Sequence, residues 1–433
     1  MYEEQKVKKY RMIFMISMAA SVIFIALLVG FKYTKAFSAE KKLDGIEEVA
    51  QSFDEFSIPA DVRVVGIGEA THGNREFQLV KRDVLEKVVT EGNGRCICFE
   101  MATGDAIRLN DAVHDADSDL VKVIGGQSYP LYDTPEMVQL LQWMKDYNQR
   151  VPYEESLMFY GVDIQGAQTA IWYMQELCEK DDSFFTKEEK EKLLSIKAET
   201  KDDYRSEREF FAQLSSRLMQ EKELKALQLS IVAKCVVLSI DAPDYDKDPS
   251  ANSHNRDLQM AQLLKDYSEI EEERGFSQVV ITAHNGHVMK GGSSVLPSKD
   301  SETMGDNINA LFDGSYFCIG TGFYEGYVNI HTAGTYDEND ERADHFYRTD
   351  DPFAYQAKFF ENGTYCLDFS RVTDENSDIY KKLHSYVFSG LIGEGYSPAN
   401  DLGNSHRVSM IPTKRFDAEI YYYEVTPIDP IEY

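Results

Sequence analysis

Apolar and polar positions fall into three kinds of pattern along the chain. Residues 12–31, MIFMISMAASVIFIALLVGF, carry no charge. As a helix rising about 1.5 Å per residue they cover roughly 30 Å, the hydrocarbon thickness of a bilayer. In residues 36–60, Leu43, Ile46, Val49 and Phe53 recur at helical spacing and predict a linker followed by a first amphipathic helix. From residue 62 short apolar runs alternate with helical periodicity: Val62–Gly68 is a strand, Phe77, Val80, Val84, Leu85 and Val88 share one helical face up to Gly92, and Arg95–Glu100 is the next strand. Strand, helix and strand in that order predict parallel strands joined by a right-handed crossover.

Further strands are predicted at 157–164 (LMFYGVDI), 278–283 (QVVITA) and 316–322 (YFCIGTG), with a helix over Thr134–Asn148. Residues 184–240 are rich in Lys, Glu and Leu with almost no Gly or Pro, the composition of a helical insertion expected to cap the sheet. The predicted class is α/β, with a mostly parallel or mixed central sheet flanked by helices. Three segments follow: a basic tail and anchor over 1–35, a linker and first helix over 36–60, and one α/β domain over 61–430 that contains the insertion.

Charge narrows the partners. With 74 acidic and 45 basic residues the formal charge is −29, which repels nucleic acid. Lys6, Lys8, Lys9 and Arg11 precede the apolar run, so the positive-inside bias keeps the short N-terminus in the cytoplasm and places the domain outside, as a single-pass protein of the cell membrane. Cleavage near Ala36-Phe37-Ser38 is the rival reading and gives a secreted domain. The six cysteines lack the paired spacing of a zinc or redox motif, and Cys96, Cys98 and Cys318 sit in apolar runs that suit buried thiols.

Acidic residues and histidines collect where the predicted strands end. The first strand runs into Glu69 and His72 of GEATHG, the second ends at Glu100, LMFYGVDI carries Asp163, and QVVITA leads into His284 and His287 of AHNGH. In open α/β sheets ligands bind outside the carboxyl ends of the strands, so these segments are expected to converge. A neutral imidazole takes a proton from water while a carboxylate orients it, which suits His72 as base with Glu69 or Glu100 as its partner. The start of the following helix is expected to offer N–H groups to an oxyanion. No GxSxG elbow is present, so activated water is preferred to a serine acyl-enzyme. Asp163 has an alternative role as a helix cap.

GEATHGNREF followed by CFEMATGDAIRLN resembles the opening signature of the erythromycin esterase family. Gln142-Trp143-Met144, Asn148, Tyr160-Gly161-Val162-Asp163, Arg256-Asp257-Leu258, AHNGHV, Met304-Gly305 and FDAEIYY continue the resemblance over residues 45–425. It implies hydrolysis of a macrolactone ester, with His72 as base, Glu69 and Glu100 as supporting carboxylates, and His284 and His287 touching substrate or water. It also implies a basic site residue nine positions after the base, which is Lys81 here, with Arg75 and Arg82 nearby. Two other readings accompany the cofactor-free esterase acting on a small-molecule ester. One makes Glu69, His72, Glu100 and His284 or His287 ligands of a divalent metal such as Zn²⁺, in a hydrolase or peptidase. The other is a surface-anchored binding protein without activity.

Overall fold

A computed structural model describes residues 2–128, 132–180, 184–292, 302–332, 341–395 and 406–431. The N-terminal helix Tyr2–Ala39 contains the stretch Lys8–Leu27, which is long and apolar enough to cross a membrane and packs against nothing in the domain.

The chain then enters the domain directly. Leu43 and Ile46 are buried in the main core, but helix is limited to the single turn Ile46–Val49. The longer amphipathic helix expected here does not form: Gly45 turns the backbone at φ 79°, and Gln51 forms a β-bridge with Cys366 that holds the following segment extended.

Ten strands are described: β1 Val64–Glu69, β2 Gly94–Ala102, β3 Met158–Asp163, β4 Gln278–His284, β5 Tyr316–His331, β6 Arg342–Arg348, β7 Thr364–Asp368, β8 Val387–Gly390, β9 Arg407–Met410 and β10 Ala418–Val425. The main sheet runs β3-β2-β4-β1-β5-β10-β7, with β6 added to β5. From β3 to β10 every neighbouring pair is parallel; β7 and β6 pair antiparallel. The fold is therefore α/β with a mostly parallel central sheet, and β4 lies between β1 and β2. Every residue of β1 and β3 is buried, as expected of parallel strands covered on both faces.

Strand β5 extends nine residues beyond the predicted stop at Gly322. Two of its glycines, Gly320 and Gly322, serve packing. A Cβ at Gly320 would lie 2.8 Å from Glu419 Cγ and one at Gly322 would lie 3.0 Å from the Tyr421 ring, so the strand stays bare where β10 presses on it.

The insertion is helical, with Lys187–Ser195, Arg208–Leu218 and Leu224–Asp241 its main elements. Leu224–Asp241 is apolar on two sides: Leu227, Ile231 and Cys235 join the core that includes β3, while Leu229, Val232 and Val236 join a separate core with Phe211 and Leu214. The insertion thus covers the β3 edge of the sheet. All six cysteines are buried, and none forms a disulfide.

Candidate active site

Strand register sets the site. In the β1–β4 pair Glu69 lies opposite His284, and in the β2–β3 pair Ala102 lies opposite Asp163, so four carboxyl ends stop at one level. The turn after β1 is held from several directions. Ala70 donates its N–H to Thr321 Oγ1 (3.0 Å) and its carbonyl accepts from Ile392 N (2.9 Å). The Gly73 carbonyl accepts from Asn329 N (3.1 Å), and a Cβ at Gly73 would come within 2.2 Å of the Asn329 carbonyl oxygen. Only glycine permits that approach, and it fixes His72 against β5.

His72 and Glu69 form the first half of the site. Nδ1 of His72 is 2.6 Å from Glu69 Oε1, and both side chains are nearly inaccessible. A carboxylate can only accept, so the hydrogen sits on Nδ1 and Nε2 keeps its lone pair. The other Glu69 oxygen meets Lys81 Nζ at 2.8 Å and Gln78 Nε2 at 3.3 Å. Gln78 and Lys81 stand three residues apart on the helix Arg75–Glu91 and lie under the carboxylate together. Burial pushes the His72 imidazole down, but the Glu69 carboxylate outweighs it and the pKa is raised. Burial likewise pushes the Glu69 carboxyl up, and Lys81 with His72 brings it below the ordinary value. Lys81 is lowered by burial, against the pull of Glu69.

The second half gathers around Arg256 on the helix Pro249–Glu273. Its Nη2 donates to Glu100 Oε1 and Asp163 Oδ2, both at 2.6 Å, and its Nε donates to Asp163 Oδ1 at 3.0 Å. His287 Nδ1 is 2.5 Å from Asp257 Oδ1, and its Nε2 is 3.3 Å from Glu100 Oε1. Burial opposes the charge on His287, but Glu100 and Asp257 raise its pKa to about 10, which favours the imidazolium at neutral pH; Nε2 also lies 3.3 Å from Arg256 Nη1. Glu100, although buried, is held well below the ordinary carboxyl value by His287 and Arg256.

His284 joins the halves. Its ring centroid is 5.2 Å from that of His72, and its backbone N–H donates to Glu100 Oε2 at 3.0 Å. Nδ1 accepts from Gly286 N (3.3 Å) while Nε2 donates to the Ile392 carbonyl (3.1 Å). Burial and the neighbouring His72 and His287 lower its pKa to about 4, so this ring is neutral.

Glu69, His72, Lys81, Glu100, Asp163, His284 and His287 are therefore brought together. Asp163 also accepts from Gln165 N (2.9 Å), a local turn contact beside its bond to Arg256. Arg75 is not in the cluster: its Nε donates to Glu136 (2.7 Å) and its side chain is half exposed. Six residues along a helix turn Arg75 about 120° away from the face of Lys81. Of the backbone donors around this turn, Gly73 N donates to Thr71 Oγ1 (2.8 Å) and Arg75 N to the Thr426 carbonyl (3.1 Å).

Gln78, Arg256 and Asp257 had no assigned role in the sequence. The signal for Arg256 was available in principle, because two carboxylates expected at adjacent strand ends need a cation between them. Among the described residues no group of three or more His, Cys, Asp or Glu side chains is placed to hold one metal ion.

Comparison with known proteins agrees with this architecture. A type II erythromycin esterase of Escherichia coli is 24% identical over 338 residues, covering 67% of this chain and 76% of the relative. A Bacillus cereus protein of solved structure superposes with a TM-score of 0.69 at 18% identity, over 92% of this chain and 99% of the other. A mutant of the erythromycin esterase EreC in its open conformation superposes with a TM-score of 0.57 at 15% identity, over 86% and 93%. The family model for erythromycin esterase matches residues 89–425, a span that includes Glu100, Asp163, Arg256, Asp257, His284 and His287 and begins after the His72 turn. With most of its length matched in this way, the chain belongs to the erythromycin esterase family, a family of hydrolases.

Proposed function

We propose that the protein hydrolyses a carboxylic ester with a water activated by His72. The observation that carries this reading is the 2.6 Å contact between Glu69 and His72 Nδ1 at the carboxyl end of β1. It fixes the tautomer that leaves Nε2 as proton acceptor, the arrangement a general base needs. Lys81 holds the rear of the Glu69 carboxylate, which keeps it ionised and aimed at the ring. His287 and Arg256 lie on the far side of the site, where they hold Glu100, Asp163 and Asp257 in place. His284, neutral and bonded at both nitrogens, orients Glu100 and the walls of the site.

The same carboxylates serve less well as metal ligands. Glu69 is occupied by Lys81 and His72, and Glu100 by Arg256 and His287, so a divalent ion would have to displace existing cation contacts. A macrolactone is one ester of the class, as the names of the E. coli relative and EreC suggest. We further propose that the N-terminal helix anchors the protein in the cell membrane with the domain outside, supported by the apolar stretch Lys8–Leu27.

The test is hydrolysis of p-nitrophenyl acetate and a macrolide by the full chain in detergent, with and without chelator, beside His72→Ala. Chelator-resistant turnover that falls by about 10²–10⁴-fold in the variant supports the reading. Turnover restored only by a divalent ion would give the site to a metal, and turnover unaffected by His72→Ala would remove the base.

A further inference from the structure

Beside Arg256 a cavity of about 530 Å³ opens between the turn after β3 and the helical insertion. Its volume lies within the usual range for small-molecule sites, but its lining does not have their usual apolar character. Aliphatic contacts come from Ile164, Ala167, Ala242 and Pro243 alone; apart from Gly166 the rest is charged, hydroxyl, amide or tyrosine.

Several of the charges are already matched. Arg205 pairs with Asp202 (3.2 Å), Lys247 with Asp244 (2.8 Å), and Arg256 with Glu100 and Asp163. Lys201 donates to the Ala242 carbonyl (3.3 Å) and Glu199 has no ion pair among the described residues; the other available groups are neutral and polar. Gln165 and Gln168 present side-chain amides with no hydrogen bond among the described residues, and Asn252 uses its Nδ2 on the Pro243 carbonyl (2.7 Å), leaving its amide oxygen. Tyr245 lines the same cavity and is 61% exposed, a flat ring without cover.

Amides that both donate and accept, together with an open aromatic face, match a ring whose edge carries hydroxyls and whose face carries C–H groups. We propose that this cavity receives a neutral sugar unit of the ester substrate. Arg256, which lines the cavity and also holds Glu100, connects it to the hydrolytic site. The sugar would then be bound one carboxylate away from His284 and the base. This substrate class rests on the esterase reading above, whereas sugar binding by the cavity does not require turnover.

The experiment therefore has a binding arm and a kinetic arm, both on the full chain in a sugar-free zwitterionic detergent. Cellobiose, maltose and chitobiose are titrated by calorimetry and ligand-observed NMR against the wild type, Tyr245→Ala and Gln168→Ala. O-acetylated forms of the same disaccharides are then compared with p-nitrophenyl acetate as substrates. Saturable binding of at least one disaccharide, weakened about tenfold by Tyr245→Ala and less by Gln168→Ala, is expected. The variants should raise KM for the sugar ester and leave p-nitrophenyl acetate turnover unchanged. If none of the disaccharides binds, or binding ignores both substitutions, the sugar proposal is overturned even if His72-dependent hydrolysis is found. Binding with the expected variant effects but no turnover of any ester would keep the sugar cavity and remove the esterase reading.

Discussion

His72 is buried and His287 partly buried, and both lie beside carboxylates, yet their surroundings give them opposite capacities. His72 meets one carboxylate, whose other oxygen is held by Lys81 and Gln78, and one ring nitrogen stays available. His287 is clasped at both nitrogens, by Asp257 and Glu100, and its pKa is pushed up to about 10. The number and engagement of the carboxylates decide whether an imidazole can exchange a proton or serves as a fixed charge. His284, between them, meets no carboxylate through its ring and falls to about 4.

The comparison breaks most severely if the cation under the second half is removed. Arg256→Leu leaves Glu100 and Asp163 buried side by side, and a loss of about 3–5 kcal/mol in stability is expected from denaturant unfolding. Arg256→Lys should not restore it, because a single ammonium cannot reproduce the forked contacts to two carboxylates. A smaller effect is expected of Asp257→Asn. The folded-state pKa of His287 is raised from 6.5 to about 10, so its ionic contacts stabilise fully below about pH 6.5 and fade as pH rises through about 10. The wild type should therefore lose more thermal stability than Asp257→Asn across that window, and equal losses would contradict the assignment.

How much of this was legible in the sequence follows the same division. The GEATHG and AHNGH turns were readable because chemistry-bearing residues followed short apolar strands, and strand register then placed Glu69 opposite His284. Arg256 and Asp257 lie within a long helix of mixed composition, where nothing local separates a buried arginine from a surface one. Lys81 and Arg75 differ only by the helix face they occupy, and that depends on where the helix begins. The C-terminal half of β5 was hidden by glycines that accommodate β10 rather than ending a strand.

The first half of the site gives finer predictions. Glu69 raises the His72 pKa, and a base works in its neutral form, so kcat/KM should climb with pH through the His72 titration. Glu69→Gln should move that limb to lower pH while reducing the plateau; a limb that stays in place would separate Glu69 from the base. Smallest of all is the expected effect of Arg75→Gln, which should leave kcat/KM unchanged, whereas Lys81→Gln should lower it. Equal losses would place Arg75 in the site.

The division of labour among the three histidines is tested most directly by NMR titration of ring-labelled histidine in the full chain, with His72, His284 and His287 assigned by substitution. The account predicts that at pH 7 His287 is protonated and remains so until near pH 10, that His284 is neutral until near pH 4, and that His72 titrates above its ordinary value of 6.5. A neutral His287 at pH 7, or a His72 that titrates below 6.5, would contradict the assignment of one as fixed cation and the other as Glu69-supported base.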